Sequence, residues 1–395
     1  MRVKTWSKII ILVVLLLCMG FSGLAANEVA EVWARLYGRA ATIKQQYGIM
    51  QSIVEQHNRD LIPVLQDALA ELNLQMKITM NETERRDRIA LMKMIVKELG
   101  SLKASEAAVE VHEVVKNGED ALLKGEAIIT LGKMRATQYV EELSLMLRNL
   151  NFFPTGNSRE EEIIAYACVL ALERMRDISG FRPVFFASLG WYSPQSKVRD
   201  VAKRALQTMV DDPTDELKAI IISDSSFSEK QAALEAAVLS KAENRKKTGI
   251  AIIALDQALV NVGRTVKENI QLSQIRVTAM SSLINLESHD AAAVPLMEQV
   301  VYSAQDLNEV ITAINALGTN ATDEAVMALS KYLRYNNERM TANINPEDYR
   351  PVRATIFALG ESGNPLAEEE LLMVEHSNWA NAIMRDAEEA LDKLR

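Results

Sequence analysis

The stretch "RPVRATIFALGESGNPLAEEELLMV", residues 350–374, carries Val-Arg-Ala at its head, Ala-Leu-Gly in its middle and Leu-Leu near its end. Altered versions return along the chain as "LMKMIVKELG", "GEAIITLGKM", "YACVLALERM", "VRDVAKRALQTM", "QAALEAAVLS", "IRVTAMSSLINL", "VITAINALG" and "MRDAEEALDKL". With Leu99, Leu131, Leu172, Leu206, Leu239, Leu283, Leu317, Leu359 and Leu391 as anchors, the steps are 32, 41, 34, 33, 44, 34, 42 and 32 residues. Their mean, about 36, falls in the range of two-helix repeat units.

Each copy follows one grammar. A helix with Ala at close-packing positions leads into a polar turn such as "GTNATDE" or "GESGNPLAE", and then into a second amphipathic helix such as "AVMALSKYL" or "EEELLMV". Small residues let paired helices approach, and the Leu, Ile and Met stripe faces the next hairpin. One hairpin cannot bury that stripe, whereas a stack can. Sixteen Gly, nine Pro and 5% aromatics leave a composition dominated by helix formers,. No apolar/polar alternation flanked by hairpin turn pairs is found. The sequence therefore predicts an all-α protein, an α-solenoid built as a superhelix of helical hairpins.

The segments "KVRDVAKRAL" (197–206), "QIRVTAMSSL" (274–283), "PVRATIFALG" (351–360) and "IMRDAEEAL" (383–391) resemble the second helix of HEAT repeats, in particular the short HEAT-like repeats of phycobilisome lyases. The resemblance covers roughly 85–395, and more loosely 46–73. It implies that Arg199, Arg276, Arg353 and Arg385 are structural, each meeting an acid of an adjacent turn in a ladder between layers, while Ile311 stands at the equivalent place in "EVITAINALG". Residues 27–84 are expected to form an N-terminal helical segment, a degenerate repeat, and 85–395 the repeat array.

Residues 1–26 read as a secretory signal: Arg2, Lys4 and Lys8 without an acid, an apolar run from Ile9 to Leu17, then small residues at Gly23 and Ala25,. The run is shorter than the ~20 residues a transmembrane helix needs. Cys18 is the residue at which a lipid anchor would attach, although Leu17 stands where such signals carry a small residue. The expected location is the bacterial periplasm or cell envelope, with membrane contact only through the signal or that anchor. A balance of 44 basic against 53 acidic residues, net −9, argues against a nucleic-acid partner,. Cys168, within "IIAYACVLAL", reads as a small buried core residue,.

Catalytic motifs are missing: no GxGxxG, P-loop, GxSxG, HExxH or CxxC occurs,. His57, His112, His289 and His376 are scattered, none three or four residues from another nitrogen or sulfur donor, and read as solvated or capping residues,. Glu160–Glu162 and Glu368–Glu370 open helices, where the macrodipole favours negative charge,. The basic run Lys241, Arg245, Lys246 and Lys247 reads as a solvated loop,. No cofactor, metal or catalytic residue is expected. Asn81-Glu82-Thr83 and Asn320-Ala321-Thr322 would be glycosylation acceptors in a eukaryotic secretory pathway,.

The long steps mark expected insertions at 149–162, 241–273 and 335–351, and connections of that length are more often functional than ordinary turns. Beside the first lie Phe152, Phe153, Phe181, Phe185, Phe186, Trp191 and Tyr192, seven of the chain's 21 aromatics within 41 residues. Such a cluster serves a binding hot spot, or else fills an irregular joint between two halves of the array. A weaker group, Tyr332, Tyr335 and Tyr349, reads as structural. The expected activity is a noncatalytic exported scaffold that holds a protein or peptide on a curved surface. The competing reading is an enzyme or small-ligand carrier related to bilin lyases, which a deep apolar pocket with convergent polar groups would favour.

Overall fold

The computed structural model describes residues 28–394. The predicted signal and Cys18 lie outside them. Among the described residues there are twenty α-helices and no strand. No described helix is long and apolar enough to cross a membrane. The chain forms two compact units, dividing after Val210. The expected boundary at 84/85 falls inside a helix of the first unit.

Unit 1 contains α1 (28–38), α2 (Ile43–Val54), α3 (Ile62–Gln75), α4 (Glu82–Ser101), α5 (Ala108–Asn117), α6 (Ala121–Met134), α7 (Val140–Phe152), α8 (Ser158–Met175), α9 (Phe181–Leu189) and α10 (Val198–Thr208). From α3 onward, successive helices pair as hairpins, and the even-numbered helices α2, α4, α6, α8 and α10 pack each on the next. Unit 2 contains α11 (Thr214–Ile222), α12 (Phe227–Leu239), α13 (Asn244–Val260), α14 (Val266–Asn285), α15 (Val294–Ser303), α16 (Leu307–Asn320), α17 (Asp323–Thr341), α18 (Arg350–Glu361), α19 (Glu368–Glu375) and α20 (Asn381–Leu394). There too, odd helices pack in one row and even helices in another, with hairpin contacts between the rows.

The recurring Leu-Gly has a geometric cause. A Cβ added at Gly132 would stand 2.5 Å from Ala171 Cα, one at Gly318 2.7 Å from Ala358 Cβ, and one at Gly360 2.8 Å from Ala390 Cα. In each case the residue after one anchor leucine meets the residue before the next anchor. The triplet Ala358-Leu359-Gly360 thus supplies a small residue to one neighbouring helix and a gap to the other, and both let helix axes approach closely,.

Helix ends repeat in the same register. Lys103, Arg135, Arg176, Glu287, Ala321 and Gly363 each lie four residues past an anchor leucine and adopt left-handed backbone with φ between 48° and 60°. Ala104 N–H donates to Leu99 O, Ala136 N–H to Leu131 O and Ser288 N–H to Leu283 O, the long-range bond of a Schellman cap,. Starts are capped as well: Asp120, Asp306 and Thr322 accept from backbone amides, and Ser226–Glu229 and Thr265–Glu268 form capping boxes,.

Several expectations need correction. Leu239 is 77% exposed, not an anchor; α12 buries Ala233, Leu234 and Ala237, and five residues beyond Leu234 the helix has turned by about 140°,. The expected insertion 241–273 is mostly helix, comprising α13 and the start of α14, since no proline interrupts it and Thr265 caps the second helix. Residues 149–162 contain only five irregular positions, 153–157, and in 335–351 helix α17 runs on to Thr341.

The arginine ladder is present at two of its four positions. Arg276 on α14 forms an ion pair with Glu309 on α16, and Arg353 on α18 reaches Asp386 on α20 at 2.6 Å. The first pair is largely buried and the second half-exposed. Neither Arg199 nor Arg385 forms an ion pair among the described residues; Arg385 stands on α20.

Candidate interaction surface

The seven aromatics singled out from the sequence divide by depth. Phe181, Phe185 and Tyr192 are core residues of unit 1, each about 1% exposed. Phe152, Phe153 and Trp191 are exposed, Phe153 to 72%, and Phe186 is half-buried. The sequence marks the cluster but does not separate the two sets, because both stand in the same apolar wording.

The buried set forms a latch. Asn151, at the end of α7, donates from its amide to Pro183 O on α9 at 2.9 Å, and its Oδ1 accepts the Tyr192 hydroxyl at 2.7 Å. Asn151 is itself buried, so each of these groups has exchanged water for a protein partner, as burial requires,. The first turn of α8 ties down both neighbouring loops. Glu161 Oε1 accepts from the Thr155 amide and hydroxyl at 2.5 and 2.8 Å, and Glu162 Oε1 accepts from Ser193 N–H at 2.6 Å. Burial pushes the Tyr192 phenol well above its ordinary value and the Cys168 thiol up to about 12. Cys168 is fully buried, as its sequence context predicts.

Unit 2 repeats this latch. Asn337 on α17 donates to Glu370 O on α19 at 3.2 Å, and its Oδ1 accepts the indole N–H of Trp379 at 2.8 Å. The aromatic lies 41 residues beyond the first asparagine and 42 beyond the second. Both latches sit in long-step repeats, so the extra residues there build a buried polar tie. Sequence reasoning missed it; the available signal was an Asn near a helix end with an aromatic one long repeat later.

On this frame stands the exposed set. The Trp191 indole N–H donates to Leu150 O at 2.9 Å while the ring stays half in solvent, tilted against Tyr192 with centroids 4.7 Å apart. Phe152 packs edge-on against Phe186 at 5.1 Å, and Phe186 against the buried Phe185 at 5.4 Å. Leu189 shares the outer face of α9 with Phe186, and Leu145, two turns before Phe152 on α7, is also exposed. The result is an apolar surface on which Trp191 is held by a hydrogen bond and a core ring, Phe152 leans on Phe186, and Phe153 stands largely in solvent.

The other sequence candidates are engaged locally. Tyr332 stacks edge-on with Tyr302, Tyr335 lies under Arg339, and Tyr349 meets Trp379. His57 bonds Glu98 at 3.0 Å, His112 stacks on Tyr139 and bonds Glu142, His289 donates to Asn320 O, and His376 caps α19. No cluster of three or more metal-type ligands occurs among the described residues. In the basic run, Lys241 and Lys246 pair with Asp211 and Asp212. Asn320 is buried, with its amide bonded to Ser288 O and Asp290 O, so this acceptor motif is closed to modification in the folded chain; Asn81 caps α4 at the surface.

No family model matches the chain, and no curated protein does. Among solved structures, the crystal structure of an engineered protein from the Northeast Structural Genomics Consortium is 14% identical over 92% of this chain and 98% of its own, with a TM-score of 0.37.

Proposed function

We propose that the protein is a noncatalytic scaffold of stacked HEAT-like hairpins, exported by its N-terminal signal to a bacterial periplasm or envelope, that binds a protein or peptide partner. The observation that carries this reading is the exposed aromatic surface of Phe152, Phe153 and Trp191 on the Asn151 latch. Rings that remain solvent-facing while their mounts are fixed lose little rotamer freedom on contact, which is what an interface anchor requires. The repeating Leu-Gly contacts and helix caps support the stacked-hairpin part of the proposal, because each layer offers the next the same surface. A cavity of about 1080 Å³ in unit 2 mixes polar and charged residues such as Gln231, Arg276 and Glu309 with apolar ones such as Val266 and Ile270, which suits a surface groove better than an apolar small-ligand pocket,.

The test is crosslinking in the native cell with a photoreactive residue at Phe153, using F152S/F153S as control. A discrete attached protein, lost in the control, is expected. Crosslinks only to lipid or solvent, together with turnover of a small substrate by the pure chain, would reverse the assignment.

A further inference from the structure

A second surface of unit 1 has the opposite chemistry. The C-terminal ends of α4, α6 and α8 open on a cleft of about 450 Å³, into which Lys103, Lys133, Arg135, Arg174 and Arg176 project, with Glu173 the acid of its lining. Lys103, Arg135, Arg174 and Arg176 form no ion pair among the described residues, and Lys133 Nζ lies 3.7 Å from Glu126. Cations at helix C-termini complement the macrodipole, so one at each end needs no further explanation.

Two observations exceed that. The caps do not require a cation, since the matching left-handed positions of unit 2 are Glu287, Ala321 and Gly363. The cations also outnumber what they could neutralise. Against five of them stand two carboxylates and three helix ends worth about half a negative charge each, leaving a surplus of about +1.5. That surplus is concentrated in one cleft of a chain whose net charge is −9.

From this excess we infer that the cleft binds an acidic peptide segment of a partner protein, an inference that rests on the interaction reading above. Packed helices lie about 8–10 Å apart, so three successive ends extend over roughly 16–20 Å. An extended chain rising about 3.4 Å per residue covers that length with five or six residues, whereas one phosphate cannot reach all three ends. Guanidinium groups match carboxylates in paired geometry, and three of the five cations are arginines. A flat anionic membrane fits a concave cleft poorly.

The experiment is fluorescence anisotropy of labelled octaglutamate with the whole chain at low salt, with inorganic tripolyphosphate and phosphatidylglycerol vesicles as competitors. Octaglutamate binding is expected, weakened about tenfold or more in R135Q/R174Q/R176Q and unchanged in K241Q/R245Q/K247Q, which removes equal charge from unit 2. K133Q/R174Q leaves the left-handed caps intact and should also weaken binding, which separates a lost site from a lost fold. Equal loss in both triple variants, or preference for tripolyphosphate or vesicles over peptide, overturns the inference. Absence of octaglutamate binding while the Phe153 crosslink persists sinks the acidic-segment inference and leaves the interaction reading standing.

Discussion

Two residue-level comparisons turn burial into measurable differences. Arg276 and Arg353 occupy the same repeat position and make the same kind of pair, yet the Glu309 side chain is 2% exposed and that of Asp386 24%. Removing Arg276 strands a buried carboxylate, with Ser273 as its remaining side-chain donor at 2.6 Å. R276A should cost about 3 kcal/mol or more, whereas R353A should cost far less because its pair is already solvated. Urea unfolding of the two variants measures both, and equal losses would contradict the burial argument. Tyr192→Phe poses a related question in unit 1. It keeps the ring and deletes the hydroxyl that satisfies Asn151 Oδ1, so a loss of about 1–3 kcal/mol is expected with the helical circular-dichroism spectrum unchanged,.

Between helices, stability depends on close approach. Gly132→Ala places a methyl 2.5 Å from the backbone of Ala171, and backbone cannot swing aside as a long side chain can. The expected cost is about 1–3 kcal/mol, read as a lower urea midpoint. Gly249, in the first part of α13, meets nothing within 4 Å, so Gly249→Ala should leave stability equal or slightly higher through the better helix propensity of alanine,. This contrast also marks what was legible beforehand. Helix type and the recurrence of Ala-Leu-Gly are local properties of the wording, and they led directly to an all-helical chain with buried Leu99, Leu131, Leu172, Leu283, Leu317 and Leu359. Register in α12 was lost because Leu234 and Leu239 both continue an apolar run, and only the neighbouring helix determines which one faces it. The Asn151 and Asn337 latches were invisible for a related reason: their partners lie one long repeat away, and a polar residue near a helix end ordinarily reads as a cap. Of the aromatic cluster, position was legible and depth was not.

Across the whole chain, the buried proton-releasing groups make stability depend on alkaline pH. Burial raises the Cys168 thiol from its ordinary 9.0 to about 12 and the Tyr37 phenol from 10.0 to about 12, and it raises Tyr192 and Tyr332 as well. In each the folded state holds the neutral form. Between the unfolded and folded values the unfolded chain has released protons that the folded chain retains, so unfolding is favoured as pH rises. The stabilisation is complete below pH 9 and is drawn down from there toward about 12, by at most about 1.4 kcal/mol per pH unit for each group within its window. Lys230 opposes this trend: burial lowers its value, so the unfolded chain is the one that keeps the proton. One such lysine does not offset four groups moving the other way. Urea midpoints should therefore be level up to about pH 8.5 and fall steeply beyond it, with Cys168 alone responsible for the onset between pH 9 and 10 because the tyrosines begin to titrate only above that. C168A should remove the early part of the fall and leave the later part in place. A midpoint that stays level to pH 11 in the unmodified chain would mean that water reaches these side chains, and that the packing described around Cys168 and Tyr192 does not hold in solution.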